Sequence, residues 1–190
     1  MANLGITHWK AFIRVMRYIQ ATMDQCISYG DVSNNNLHQL SGYSNASWRG
    51  DVDNRKSTSG FTFFFNDGPI SWNSRKQTSI ALSSTEAKYI VVSQSIKEAF
   101  WLRNLLSNIN LYQYSPTILF CDNQSAIALS ANPRFHSRSK HIEIRYHYIS
   151  GKVLNKEVSL TYCRTQDMVA DIFTKALSVN AHNKYCALLI

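Results

Sequence analysis

Apolar residues recur along this chain with two periods, and the change from one to the other divides it. Trp9, Phe12, Ile13, Met16 and Ile19 fall at helical spacing, with Lys10, Arg14 and Arg17 on the other side; this predicts an amphipathic helix capped by Thr7. A short apolar piece, residues 26–29, ends at Gly30, and Ser33-Asn-Asn-Asn36 reads as a loop. Strand candidates follow at Leu37–Ser47 and Ser57–Phe65, the second with Phe61, Phe63 and Phe65 on one face. Asn66-Asp-Gly-Pro69 predicts a turn, and a third strand begins at Ile70–Asn73. From Ser84 the period changes: Ala87, Ile90, Val91, Ala99, Leu102, Leu105, Leu106 and Ile109 describe one long helix or two abutting ones.

Ser83 followed by Glu86 is the pattern of a capping box at the start of that helix. Thr117–Cys121 reads as a short buried strand, and Asp122–Ala131 as a helix stopped by Asn132-Pro133. Residues 142–153 alternate like a strand and also step like a helix, and length favours the helix. Val158–Cys163 predicts a last strand and Asp167–Leu177 a last helix. Three strands in a meander, then alternating helix and strand, give an α/β chain with a mixed sheet flanked by helices.

Composition narrows the partners. At 190 residues the chain suits one domain with an appendage. Twenty Lys plus Arg against twelve Asp plus Glu leave +8, which favours a polyanionic partner. Cys26, Cys121, Cys163 and Cys186 form no CxxC pair and are expected as reduced thiols, with Cys121 and Cys163 packing inside strands. No apolar run reaches the ~18 residues of a membrane span and no leader pattern opens the chain. An intracellular protein, cytoplasmic or nuclear, is expected, and the Arg49-Gly-Asp51 triplet carries no adhesion function there. Trp48 and Trp72 are expected to pack in the core or in turns.

Three acids stand at element ends: Glu86 in the first turn of the long helix, Asp122 after an apolar strand, and Asp171 in the predicted last helix. Such spacing points to a divalent-metal site. The segments Gly42–Asp51, Arg55–Gly60, Ser71–Gln77, Ala81–Tyr89, Cys121–Ile127, His136–Ile142 and Ala170–Lys175, in that order, resemble the ribonuclease H domain of copia-type retrotransposon Pol polyproteins. The resemblance implies a ribonuclease H-like fold with a five-stranded mixed sheet. It divides the chain into residues 1–36, left from an upstream reverse transcriptase; 37–177, the ribonuclease H-like domain; and 178–190, a C-terminal tail. The activity implied is hydrolysis of RNA in RNA–DNA hybrids by two Mg²⁺ ions, with Mn²⁺ as a substitute, held by Glu86, Asp122 and Asp171.

The family's fourth acid belongs on the first strand, where this chain has Asn45. Asn offers one neutral carbonyl oxygen and an amide that does not ligate. A domain with weak or no activity is therefore expected, with Asn45→Asp restoring some of it; the alternative is an inactive nucleic-acid-binding module or an inert remnant. Asp51 and Asp53 are the nearest acids, but six residues of extended chain can span ~20 Å and nothing fixes either one at the site, so compensation is not expected. The hybrid-binding face implied comprises Arg55, Lys56, Arg134, Arg138, Lys140, His141 and Arg145. His136, His141 and His147 lack the ligand spacing of a zinc site.

Overall fold

Strand β2 (Thr58–Phe65) forms as read, and its three odd-numbered phenylalanines are all buried in the core. In the computed structural model, which describes residues 5–30, 38–51, 53–131 and 148–190, β2 lies between β1 (Ser41–Ser47) and β3 (Gly68–Lys76). The β2–β3 hairpin turns through Asn66 and Asp67, both at positive φ, as a two-residue loop matched to strand twist requires. β4 (Thr117–Cys121) and β5 (Val158–Tyr162) complete a five-stranded sheet of order β3-β2-β1-β4-β5. The β1–β2 and β2–β3 pairs are antiparallel, whereas β1–β4 and β4–β5 are parallel. This is the mixed sheet expected.

Pairing register assigns the faces. Gly42 lies opposite Phe63 and Leu119, and Ser44 opposite Phe61 and Cys121. That face packs against α2 (Ser84–Asn108), one unbroken helix, whose Ala87, Ile90, Val91, Ile96, Ala99 and Leu102 are buried. A Cβ at Gly42 would stand 2.6 Å from the Phe63 ring, so only glycine lets the ring lie across β1. The opposite face carries Tyr43 stacked on Phe120 at 4.8 Å, and further along β1 Asn45. Helix α3 (Gln124–Ala131) follows β4, residues 148–154 form helix α4, and α5 (Val179–Leu189) ends the chain.

Several boundaries differ from the sequence reading. The expected last helix, Asp167–Leu177, is instead two short 3₁₀ segments, Thr165–Asp167 and Val169–Phe173. Met168, Val169, Ala170 and Asp171 are all buried in succession, and an α-helix against a sheet buries one side only. Residues 178–190, expected as a tail, form α5, capped by the Ser178 hydroxyl. Its Tyr185 hydroxyl donates to the carbonyl of Gln166. Helix α1 (Ile6–Ala21) begins before Thr7, with Gly5 at the cap, and buries none of its residues. Cys163 lies one residue beyond β5. Trp48 lies in a turn, as expected, its indole N–H donating to the Ala81 carbonyl at 3.1 Å, whereas Trp72 is exposed on β3.

Candidate functional site

Asn45 sits near the end of β1 on the face away from α2, and it is buried. Its side-chain amide donates to Asp171, itself buried in the Val169–Phe173 segment. The Asn45 carbonyl oxygen accepts from the backbone N–H of Ala46 at 2.8 Å. Close approach of that segment depends on Gly60, which pairs with Asn45 across the ladder. A Cβ at Gly60 would meet Thr174 Cγ2 at 2.6 Å and Phe173 Cβ at 2.8 Å. Asp171 is also ion-paired with Lys175 Nζ at 2.8 Å, four residues on.

Asp122 follows directly on β4. Ser44 pairs with Cys121, the last residues of that parallel register, so Asp122 leaves β4 at the end of the sheet toward which β1 carries Asn45. Asn123 caps α3 by accepting from the Ala126 N–H at 2.8 Å, which fixes the turn on which Asp122 stands. The Asp122 carboxylate is paired with the ammonium of Lys88 from the second turn of α2, and both side chains are largely buried. Burial pushes the neighbouring Cys121 thiol up to about 11, so it packs as a neutral group.

Glu86 occupies the first turn of α2, and its backbone N–H donates to the Ser83 hydroxyl at 3.1 Å. The reciprocal half of the capping box lands one residue earlier than expected: the Glu86 carboxylate accepts from the Leu82 N–H at 2.8 Å. Buried Gln77 helps seat this end of α2, since its amide donates both to Ser59 and to the Ala87 carbonyl. Asn45 and Asp171 are thus joined directly, Asp122 is held by Lys88 at the end of β4, and Glu86 is turned onto its own helix cap.

The compensating acid is committed elsewhere. Asp51 is paired with Lys76 and accepts from the backbone N–H groups of Asp53 and Asn54 at 3.1 and 2.9 Å. Those contacts hold its carboxyl below the usual range, the Lys76 hydrogen bond contributing most. Arg55 is exposed on the same loop and Lys56 is half-buried. Arg134, Arg138, Lys140, His141 and Arg145, with His136 and His147, lie outside the described residues.

Mg²⁺ takes hard oxygen ligands in near-octahedral geometry at about 2.0–2.1 Å. Here Asn45 turns a nitrogen toward Asp171, Asp122 holds an ammonium group, and Glu86 holds a backbone donor. Among the described residues no group of three or more His, Cys, Asp or Glu side chains is arranged to hold a metal ion. The residues present do not fit a metal pair. Lys88 and Lys175 went unremarked in the sequence, although both lie inside the motifs quoted above.

No protein-family model matches the chain. It is 39% identical over 180 residues to the retrovirus-related Pol polyprotein from transposon TNT 1-94 of Nicotiana tabacum, covering 95% of this chain and 13% of that protein. It is 40% identical over 171 residues to the retrovirus-related Pol polyprotein from transposon RE2 of Arabidopsis thaliana, covering 90% and 12%. The chain therefore spans about an eighth of the length of these relatives. Among solved structures it is similar to LC11-RNase H1, isolated from compost, with a TM-score of 0.54 at 9% identity over 73% of this chain and 94% of that one. At that identity the likeness carries the fold, which is that of ribonuclease H. Among the described residues no helix is long and apolar enough to cross a membrane.

Proposed function

We propose that this chain, a ribonuclease H-like domain homologous over nearly its whole length to the Pol polyproteins of plant copia-type transposons, grips RNA–DNA hybrid and cleaves it weakly or not at all. The family's chemistry requires a carboxylate on the first strand. One observation carries the reading: at that position Asn45 donates its amide to Asp171 instead of presenting a second anionic oxygen. Ligand-shell losses far milder than this cost about 10–100-fold in metal affinity or activity. Asp51, tied to Lys76 and its own loop, is not free to substitute.

Binding rests on different residues. The chain carries a net +8, and the basic run containing Arg134, Arg138, Lys140, His141 and Arg145, together with Arg55 and Lys56, supplies phosphate contacts. In the intact polyprotein the partner domain is the reverse transcriptase that makes the hybrid. The test is a gel shift and a cleavage assay on one labelled RNA–DNA hybrid, with Mg²⁺ and with Mn²⁺. Binding without cleavage at stoichiometric protein is expected. Robust cutting by the unmutated chain overturns the proposal, and absence of hybrid binding reduces the domain to an inert remnant.

A further inference from the structure

We propose that Lys88 is a built-in counter-ion that closes the acid cluster to divalent cations, independently of the lesion at Asn45. Two of the three acids each carry an ammonium partner, Lys88 on Asp122 and Lys175 on Asp171, while Glu86 is turned onto its own helix cap. Each of these two carboxylates is thereby neutralised by its own lysine, which leaves little charge there to attract dications.

The two lysines differ in grip. The Lys175 side chain is 43% exposed and swings into water at small cost. The Lys88 side chain is 16% exposed and that of its partner Asp122 is 4% exposed, so this pair is shielded from solvent and from salt. Lys88 also rises from α2 two residues after Glu86, on a helix seated against β1 and β2. Its ammonium is delivered by a rigid element and does not search for its partner. A dication approaching Asp122 must either displace Lys88 and leave a buried ammonium unpaired, or bind beside a fixed positive charge. Both routes oppose binding.

This inference rests on the reading of the cluster as a former hydrolytic centre, and it predicts something that reading does not. Restoring the first-strand acid alone is insufficient. Mn²⁺ binding, followed by loss of the free-ion paramagnetic resonance signal, is compared in the wild type, N45D, K88Q and N45D/K88Q, with K175Q as the exposed-lysine control. K88Q keeps a hydrogen-bond donor toward Asp122 while removing the charge, and K88M serves as a second variant. Circular dichroism and urea denaturation establish that each variant is folded.

The expected result is that N45D changes Mn²⁺ affinity less than about threefold, whereas N45D/K88Q binds at least tenfold more tightly than N45D, within the range for altered ligand shells. K175Q should stay within about twofold of wild type. If N45D alone binds Mn²⁺ as tightly as N45D/K88Q and N45D/K88M, Lys88 is not a barrier and the inference falls. Cleavage of hybrid by the wild type would instead remove the functional reading above, and the affinity ratio would still decide the role of Lys88.

Discussion

Asn45→Asp, the change that would restore the family's acid, should first be a stability lesion. In the wild type the buried Asn45 amide donates to the buried Asp171 carboxylate. Hydrogen bonds to charged groups contribute about 1.5–3 kcal/mol, and the substitution removes this donor. It also sets a second negative charge against the first. Two like charges ~4 Å apart at an effective dielectric near 20 repel by about 4 kcal/mol. Lys175 on Asp171 and local relaxation offset part of that, so a net loss of about 3–5 kcal/mol is expected in EDTA at neutral pH. For a chain of this size that is a drop in Tm of roughly 6–20 °C.

Urea denaturation in EDTA, followed by circular dichroism, measures the loss directly. Asn45→Ala removes the donor without adding charge and should lose only the hydrogen-bond share, about 1.5–3 kcal/mol, plus a small cavity. The difference between the two variants isolates the repulsion. An Asn45→Asp protein within ~0.5 kcal/mol of wild type would refute the contact on which this account of the site depends.

Three further outcomes follow from other parts of the molecule. Gly60→Ala should cost about 1–3 kcal/mol by overpacking against Phe173 and Thr174, and deuterium exchange should rise in residues 169–175. The exposed Cys26 should react with a thiol reagent at pH 8 in the native state, whereas Cys121, buried and with its thiol pushed up to about 11, should react only on unfolding or near that pH; rapid native labelling of Cys121 at pH 8 would contradict its packing. Replacing Arg134, Arg138, Lys140 and Arg145 together by Ala should weaken hybrid binding and lower the slope of log K against log salt by about one per charge; an unchanged slope moves the binding face elsewhere.

How much of this was legible in the sequence depended on the range of the interaction involved. The strand at 58–65 and its turn were readable because a period of two and an Asn-Asp-Gly turn are local facts. The start of α2 was readable from Ser83 and Glu86, although the carboxylate reached Leu82 and not the cap residue. The α1 stripe was correctly amphipathic, yet the structure leaves Trp9, Phe12 and Met16 exposed; periodicity reports a face and says nothing of what covers it. The α-helix expected over residues 167–177 follows from assigning an apolar run the commoner structure, whereas tight packing between the sheet and α5 favours shorter turns. Helix α5 did leave a signal, Ser178 followed by Ala181, Tyr185 and Leu188 at helical spacing.

The candidate acids come from motifs, and the partner that each one holds lies far away in sequence. Lys88 and Asp122 lie 34 residues apart, and Asn45 and Asp171 lie 126 apart. No local pattern reports such pairs. The Asn45 substitution is visible as a missing letter, and it invites the conclusion that one mutation separates this chain from an active centre. The Lys88–Asp122 pair argues otherwise. Once an anionic site no longer binds its cations, its carboxylates repel one another, and any ammonium or amide that neutralises them stabilises the fold. Contacts of that kind make the loss difficult to reverse. Asn45 on Asp171 and Lys88 on Asp122 both fit this pattern; on the reading proposed above, a metal site would return only when both contacts are undone together, and the double variant is the one to build.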